Sequence, residues 1–170
     1  MTAVPTSELW RAVASVPDPE IPDLTIEELA ILCGIRMEDG RPHITLRPTH
    51  LGCPAFDWIK AEVRDRAVAA GWDDAVVEVR LTPPWSTDDI SIGAREKLKA
   101  HGIACAAPSQ LGGQQPALQP VRLEVSGARC PRCHSHDTQT LSTFGASACK
   151  SLMRCNACKE PFDLLRRASR

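Results

Sequence analysis

Two closely spaced cysteine pairs in the last third of the sequence constrain the fold most strongly. Cys130-Pro131-Arg132-Cys133 and Cys155-Asn156-Ala157-Cys158 are both C-x-x-C motifs, and 21 residues separate the inner cysteines. Each motif presents two sulfurs on one tight turn, and two such turns give the tetrahedral set of four thiolates that zinc favours. The residues between and after the motifs predict a zinc ribbon with short strands over 138–142, 148–154 and 162–165.

Other assignments of these cysteines stay open from the residues alone. Four cysteines also suit an iron–sulfur cluster, and either pair taken singly suits a redox dithiol. We favour structural zinc, because so small a module cannot bury enough apolar surface to fold without a metal. His134 and His136 are expected to be solvated. Cys149 is either an additional thiol that faces a partner or a buried strand residue, and the second is favoured.

A second constrained stretch is Thr49-His50-Leu51-Gly52-Cys53-Pro54, which lies between a predicted strand and a predicted helix. Because proline is favoured at the first helical position, Cys53 is expected at or next to the N-cap. A thiol there lies beside unpaired backbone N–H groups and the positive end of the helix dipole, and both favour the thiolate. The alternative is that Cys53 is a small buried side chain, as many free cysteines are.

Two proline-rich loops are also unusual. Residues 17–22 hold three prolines, which forbid a helix, and they carry the carboxylates of Asp18 and Glu20. The alternative interpretation of this loop is a stiff connector with solvated charges. Pro83-Pro84 precedes Trp85, which we expect to be a core residue rather than an exposed contact point.

Hydrophobic periodicity predicts an α+β fold for the first part of the chain, a small two-layer α/β sandwich. The expected order is helix, β-hairpin, helix, strand, helix, and Thr25 with Glu28 and Ser86 with Asp89 fit capping boxes. The predicted helices cover 7–14, 55–70 and 86–101, and the predicted strands cover 31–37, 43–47 and 75–81. The side chains expected to face inward are Trp10, Val13, Ala14, Phe56, Ile59, Val63, Ala67, Val77, Val79 and Leu81.

The predicted domains are therefore an α/β domain over 1–103, a flexible linker over 104–127 and the ribbon over 128–170. The linker is rich in Ala, Gly, Gln and Pro and has no apolar period. Cys105 is expected to be incidental in it, and Cys33 is expected in the core of the first domain.

Charge is distributed unevenly between these parts. Residues 128–170 carry 8 Lys and Arg against 3 Asp and Glu, so +5 there stands against −6 in the remainder of a chain whose formal net charge is −1. Such asymmetry is typical of modules with different partners. The sequence shows neither a signal peptide nor an apolar run that could span a membrane, so the eight cysteines are expected in a reducing cytoplasm as metal ligands or reactive thiols.

The motifs together resemble a known family. Asp18-Pro19-Glu20-Ile21-Pro22, Gly52-Cys53-Pro54 and the stretch from Pro83 to Asp88 are similar to the SufT-like iron–sulfur assembly domain. With the two cysteine pairs and the run 144–150 between them, the whole chain resembles the D subunits encoded with bacterial phenylacetyl-CoA epoxidases.

The resemblance implies a maturation or accessory factor in phenylacetate catabolism, with no ring chemistry of its own. It implies help in assembling or inserting the cluster of the reductase, a subunit with flavin and [2Fe–2S], and a transient iron or iron–sulfur species beside the structural zinc. By position, Cys53 is the cluster-handling thiol and Asp18, Glu20, Thr49 and Trp85 support it. One departure is His50-Leu51, where relatives carry smaller or hydroxyl-bearing residues. The epoxidase subunits are the expected partners, and a homodimer stays open.

Two other functions compete. A nucleic-acid-binding ribbon fits the +5 charge, but Phe144 and Phe162 are its only aromatic residues and the chain has no Tyr. A thiol enzyme with Cys53 as nucleophile requires a base within reach, such as His50. We favour the maturation factor over both.

Overall fold

The computed structural model describes residues 6–106 and 128–166. The chain divides into two compact units, one that ends at Lys97 and one over Leu98–Arg166. Most of the predicted linker, residues 107–127, lies outside the described residues. Ala104 and Cys105, which were also expected in the linker, lie instead in a strand of the second unit. None of the described helices has the length and apolar character that crossing a membrane requires.

The first unit has the predicted α/β order. Its strands form a three-stranded sheet in the order β1-β2-β3, in which β1 and β2 are antiparallel and β2 and β3 are parallel. A short 3-10 turn, Thr87–Asp89, precedes the last helix. The elements are α1 (Thr6–Ala14), β1 (Leu32–Glu38), β2 (Arg41–Leu46), α2 (Pro54–Ala69), β3 (Val76–Val79) and α3 (Ile92–Ala100), which runs three residues past the boundary at Lys97.

A two-residue turn closes the β1–β2 hairpin. Asp39 and Gly40 both have positive φ, at 50° and 80°, as a type I′ turn requires. The turn sets a register in which Glu38 faces Arg41 and Ile35 faces Ile44. The predicted β-hairpin is confirmed.

The parallel β2–β3 pair positions the functional loops. Because α2 connects two parallel strands, the carboxyl ends of β2 and β3 lie at the same edge of the sheet. Leu46 faces Val79 there, and the Arg80 N–H donates to the Leu46 carbonyl at 2.8 Å. The loop that holds Cys53 and the loop that holds Trp85 therefore both leave the sheet from this edge.

The core of this unit is built by the inward faces of the helices and the central strand. In α2, Ile59, Val63 and Ala67 are buried as predicted, whereas Phe56 is half-buried. In α1, Leu9 is buried together with Val13 and Ala14. Trp10 is only half-buried, because its Nε1 donates to Glu27 Oε1 at 2.8 Å near the surface.

Three predicted burials in or beside the sheet are wrong. Cys33 is exposed rather than in the core, because a β-bulge between Leu32 and Gly34 interrupts the alternation of side chains. Val79 and Leu81 are 45% and 53% exposed, since β3 is an edge strand of four residues and Leu81 lies beyond its end.

The last helix begins later than predicted. Ser86 caps the 3-10 turn, where its side chain accepts from Asp88 N. Ile90 then takes an extended conformation and is buried, so the chain cannot continue as a helix through it. The α-helix starts at Ile92, and Ser91 Oγ accepts the Ala94 N–H at 3.1 Å.

The second unit contains a four-stranded sheet in the order β4-β7-β6-β5. The strands are β4 (Ile103–Cys105), β5 (Thr138–Ser142), β6 (Lys150–Cys155) and β7 (Pro161–Leu165). The three predicted ribbon strands are confirmed, and β4 is an addition that pairs parallel to β7. The small core is formed by Ala104, Ala128, Cys130, Met153, Cys155 and Phe162.

Candidate metal centre and candidate thiol site

The four cysteines of the C-x-x-C motifs converge in the second unit. All four sulfurs lie within 4.8 Å of one another. Cys130 Sγ is 3.7 Å from Cys158 Sγ, and Cys133 Sγ is 3.5 Å from Cys155 Sγ. A tetrahedron with zinc–sulfur bonds of about 2.3 Å has edges of about 3.8 Å. The sulfur separations therefore fit a zinc ion at the centre.

Both motifs use the same backbone geometry. The Cys130 N–H donates to the Ser135 carbonyl, and the Cys155 N–H donates to the Glu160 carbonyl, each at 2.9 Å and five residues ahead. The residue after each second cysteine, His134 or Lys159, has positive φ, at 63° and 65°. Two equivalent tight turns thus point four sulfurs at one centre, which is the arrangement predicted from the spacing.

The sulfurs differ in their electrostatic surroundings. The Cys158 N–H lies 3.5 Å from Cys155 Sγ and is the main cause that lowers the pKa of the Cys155 thiol to about 6. Arg132, within the first motif, forms an ion pair with Glu160, which lies two residues after the second motif. His134 and His136 are both exposed, as expected for solvated side chains.

Two of the four sulfurs lie in the core of the ribbon, where a bound metal ion would offset their charge. Of the six buried residues in this core, Cys130 and Cys155 are themselves in the sulfur cluster. Holding four thiolates within 4.8 Å of one another is unfavourable unless a cation offsets their charge. The chemistry of the donor set, four sulfurs and no oxygen, suits zinc better than a hard cation.

Cys53 is the N-cap of α2, as predicted from Pro54. Its backbone is extended, with φ −67° and ψ 119°, and Pro54 occupies the first helical position. The Cys53 side chain makes no capping hydrogen bond, and the residue is half-buried. Gly52, with φ 79°, supplies the left-handed turn that brings the chain into the helix. Cys53 is thus a half-buried residue at the amino end of a 16-residue helix.

The residues before Cys53 include two buried nitrogens that the protein leaves unsatisfied. Arg47 Nε and His50 Nδ1 have no hydrogen-bond partner among the described residues. His50 Nδ1 therefore makes no bond to the Cys53 thiol in this structure, which does not favour the thiol-enzyme alternative. Thr49, between them, is half-buried.

An ion pair and a hydrogen bond join the loop of Trp85 to neighbouring segments. Arg47 donates to Asp89 Oδ2 at 2.6 Å, which ties the end of β2 to the 3-10 turn. Trp85 is 2% exposed, and its Nε1 donates to the Leu29 carbonyl at 2.8 Å. Trp85 is therefore a core residue, as expected, and it fixes the loop from within.

The Asp18–Glu20 loop is ordered by its own carboxylate. Asp18 Oδ1 accepts the N–H groups of Glu20 and Ile21, at 2.9 and 3.0 Å. Asp18 N in turn donates to the Leu24 carbonyl at 2.8 Å. These contacts make Asp18 a turn-forming residue that keeps the loop in one conformation.

The predicted capping box that follows this loop is confirmed. The Thr25 N–H donates to Glu28 Oε2 at 3.0 Å, and the Glu28 N–H donates to Thr25 Oγ1 at 3.2 Å. The reciprocal pair satisfies two backbone donors at the start of a short turn.

Sequence reasoning missed the role of Arg47. Arg47 directly follows an apolar strand, and its charged side chain is only 13% exposed. A largely buried arginine requires a charged partner, so the acidic pair Asp88-Asp89 in the loop after β3 was the available signal.

Two further cysteines lie apart from the proposed sites. Cys149 is 8% exposed, and Ser147 Oγ lies 3.1 Å from its sulfur, so the favoured burial is observed. The residue lies in the turn before β6, however, and not in the strand as expected. Cys105 is half-buried in β4 rather than incidental in a linker.

The two units and their sites define a two-module protein, an iron–sulfur assembly type of α/β domain with a four-cysteine β-ribbon. Residues 6–81 match the family model described as iron–sulfur cluster assembly protein, and residues 114–166 match the PaaD zinc beta ribbon domain. The chain is 37% identical over 156 residues to an Escherichia coli K12 protein that is provisionally named the D subunit of 1,2-phenylacetyl-CoA epoxidase. The match covers 92% of this chain and 89% of that one. The chain belongs to the family of these D subunits.

Two further likenesses concern the first module. The Fe-S protein maturation auxiliary factor YitW of Bacillus subtilis is 36% identical over 86 residues, which cover 49% of this chain and 82% of YitW. The crystal structure of a domain of unknown function, DUF59, from Bacillus anthracis aligns with a TM-score of 0.50 at 25% identity. It covers 54% of this chain and 89% of that one. The predicted resemblance and the predicted fold class are confirmed.

Proposed function

We propose that this protein is an accessory factor that helps to equip the phenylacetyl-CoA epoxidase system with a metal centre, and that its client is the iron–sulfur cluster of the reductase. The family supports the epoxidase system as the setting. The likeness of the first module to an Fe-S protein maturation factor supports the chemistry. In this proposal the cluster or its iron is cargo rather than a resident cofactor.

The observation that carries the proposal is the position of Cys53. Cys53 is half-buried and makes no capping hydrogen bond, and it lies at the amino end of α2, where the first backbone N–H groups of the helix have no partner within the helix. A thiolate is the form that binds soft metals and sulfide-bridged iron. Cys53 would hold the cargo transiently, because a single protein sulfur leaves the remaining iron positions free for the client's ligands.

The loops around Cys53 would keep that thiol in place. Gly52 supplies the turn, and the Arg47–Asp89 ion pair links the preceding strand to the loop after β3. Trp85 and the Asp18 turn stiffen the loops elsewhere in the unit. In this proposal Asp18, Glu20, Thr49 and Trp85 support the site without contacting the cargo.

The ribbon would be held by one structural zinc ion through Cys130, Cys133, Cys155 and Cys158. Zinc supplies the folding free energy that a six-residue core lacks. The two turns hold the four sulfurs at the separations such an ion requires.

The experiment that tests the function compares cells with and without this protein. Without it, the epoxidase subunits should accumulate in normal amount, but the epoxidase should have little activity because the reductase lacks its cluster. Chemical reconstitution of the purified reductase with iron and sulfide should restore turnover. If reconstitution changes nothing and the reductase is already loaded, the proposal is wrong.

A further inference from the structure

The tip of the β5–β6 hairpin carries the exposed apolar surface of the ribbon. Leu141 is 50% exposed and Phe144 is 62% exposed, and no other large apolar side chain among residues 128–166 is exposed. Single exposed apolar residues are ordinary on protein surfaces. Leu141 and Phe144 lie only three residues apart at the loop end of β5, in a module with a small core, and exposed apolar side chains so placed suit a partner.

Hydrogen bonds hold the backbone on both sides of Phe144. Ser142 Oγ donates to the Phe144 carbonyl at 2.8 Å, and Ser151 Oγ donates to the Thr143 carbonyl at 2.8 Å. The Gly145 N–H donates to the Lys150 carbonyl, also at 2.8 Å. Because the loop is already ordered, little conformational entropy is lost when Phe144 is bound.

Arg166, directly after β7, stacks on the exposed ring. Its guanidinium carbon is 5.1 Å from the centroid of Phe144, within the range of a cation–π contact. Nη1 of Arg166 donates to the Thr143 carbonyl at 3.4 Å, and the Arg166 N–H donates to the Cys149 carbonyl at 2.8 Å. Buried Cys149 thus belongs to the framework that places a cation beside an apolar ring.

We propose that Leu141, Phe144 and Arg166 form a docking element that inserts into an apolar socket bordered by carboxylates on a protein partner. Arginine and the aromatic residues, phenylalanine among them, are enriched at protein interfaces relative to the rest of the surface. The described ribbon residues 128–166 hold 6 Lys and Arg against 3 Asp and Glu, which is complementary to an acidic surface. This inference rests on the proposed function in that the partner to be tested is the epoxidase reductase.

A protein partner accounts for these features better than a nucleic acid does. Binding to a single strand uses successive aromatic platforms, and Phe162, the second aromatic residue of the ribbon, is 6% exposed. Leu141 offers no stacking face to a base. An apolar socket, by contrast, accepts both Leu141 and Phe144.

Biolayer interferometry with immobilised, purified reductase tests the inference. The full-length, zinc-loaded protein is compared with Phe144→Ser, with Arg166→Glu and with Val68→Ser as the matched control. Val68 is 44% exposed on α2, so this control also removes an exposed apolar side chain. Phe144→Ser should raise the dissociation constant at least about tenfold. Arg166→Glu should weaken binding most at low salt, and Val68→Ser should bind like the wild type.

Zinc content and circular dichroism establish that each variant is folded. Phe144→Ser is expected to fold, because the Phe144 side chain is largely exposed. The docking inference is overturned if Phe144→Ser binds the reductase as tightly as the wild type, or if the wild type does not bind it. It is also overturned if Phe144→Ser loses affinity for a single-stranded oligonucleotide instead. The proposed function is tested separately, by the cluster content of the reductase in cells that lack this protein. A fully loaded reductase there would refute the maturation role without changing the measured binding.

Discussion

Replacing Trp85 by Phe should destabilise the α/β unit selectively. Trp85 is 2% exposed, and its Nε1 donates to the carbonyl of Leu29, a residue that is itself 3% exposed. Phenylalanine keeps an aromatic ring but loses the donor, so the Leu29 carbonyl is left buried without this bond. The smaller ring also leaves unfilled volume. Trp58→Phe is the matched control, because Trp58 is 44% exposed on α2.

The magnitude follows from these two losses. An unsatisfied buried acceptor costs about 1–3 kcal/mol, and the missing ring volume adds about 1 kcal/mol. The free energy of unfolding should therefore fall by about 2–4 kcal/mol, against less than about 0.5 kcal/mol for the exposed control. With a urea dependence of about 1.5 kcal/mol per molar, the midpoint should fall by about 1.3–2.7 M.

Tryptophan fluorescence during urea unfolding is the assay, because it reports on the α/β unit alone. The four tryptophans of the chain are Trp10, Trp58, Trp72 and Trp85, which all precede Lys97. Unfolding of the ribbon therefore leaves this signal largely unchanged. If Trp85→Phe and Trp58→Phe unfold at the same urea concentration, the loop of Trp85 is not fixed in the way described, and its support of the Cys53 site loses its basis.

Two further predictions concern the ribbon and the sheet. Elemental analysis of the purified protein should find about one zinc per chain. The Cys155→Ser variant should lose this zinc, and the control variant Cys33→Ser should retain it. Zinc that persists in Cys155→Ser would contradict the four-sulfur site. In the sheet, hydrogen bonds from Arg36, and secondly from His43, lower the pKa of Glu78 to about 2 from its ordinary value of 4.5. Glu78 therefore stabilises the fold above its ordinary pKa, and this contribution is lost as the pH falls from about 4.5 to about 2. The free energy of unfolding, measured with urea, should be larger for the wild type than for Glu78→Gln at neutral pH, and the two values should converge near pH 2. A difference between them that stays constant down to pH 2 would refute this.

Local patterns in the sequence predicted the elements that local physics decides. The Asp39-Gly40 turn, the Pro54 start of α2 and the Thr25–Glu28 capping box each depend on a few adjacent residues, and all are observed. The same holds for the turns of the two C-x-x-C motifs, whose spacing alone indicated that the sulfurs would meet.

Features that depend on distant partners could not be predicted in this way. Strand β4 has three residues, too few for any period, and it exists because it pairs with β7, about sixty residues further along the chain. The bulge that exposes Cys33 is a property of the pairing between β1 and β2 rather than of either strand. The Arg47–Asp89 ion pair likewise spans 42 residues.

The iron and acid-labile sulfide content of the reductase, measured per flavin, tests the role of Cys53 most directly. The reductase is purified anaerobically from cells that carry this protein as wild type, as Cys53→Ala or as Cys33→Ala, a control that removes an exposed thiol from β1. The account predicts a full [2Fe–2S] complement with the wild type and Cys33→Ala, and a reductase short of both iron and sulfide with Cys53→Ala. A fully loaded reductase from the Cys53→Ala cells would contradict it.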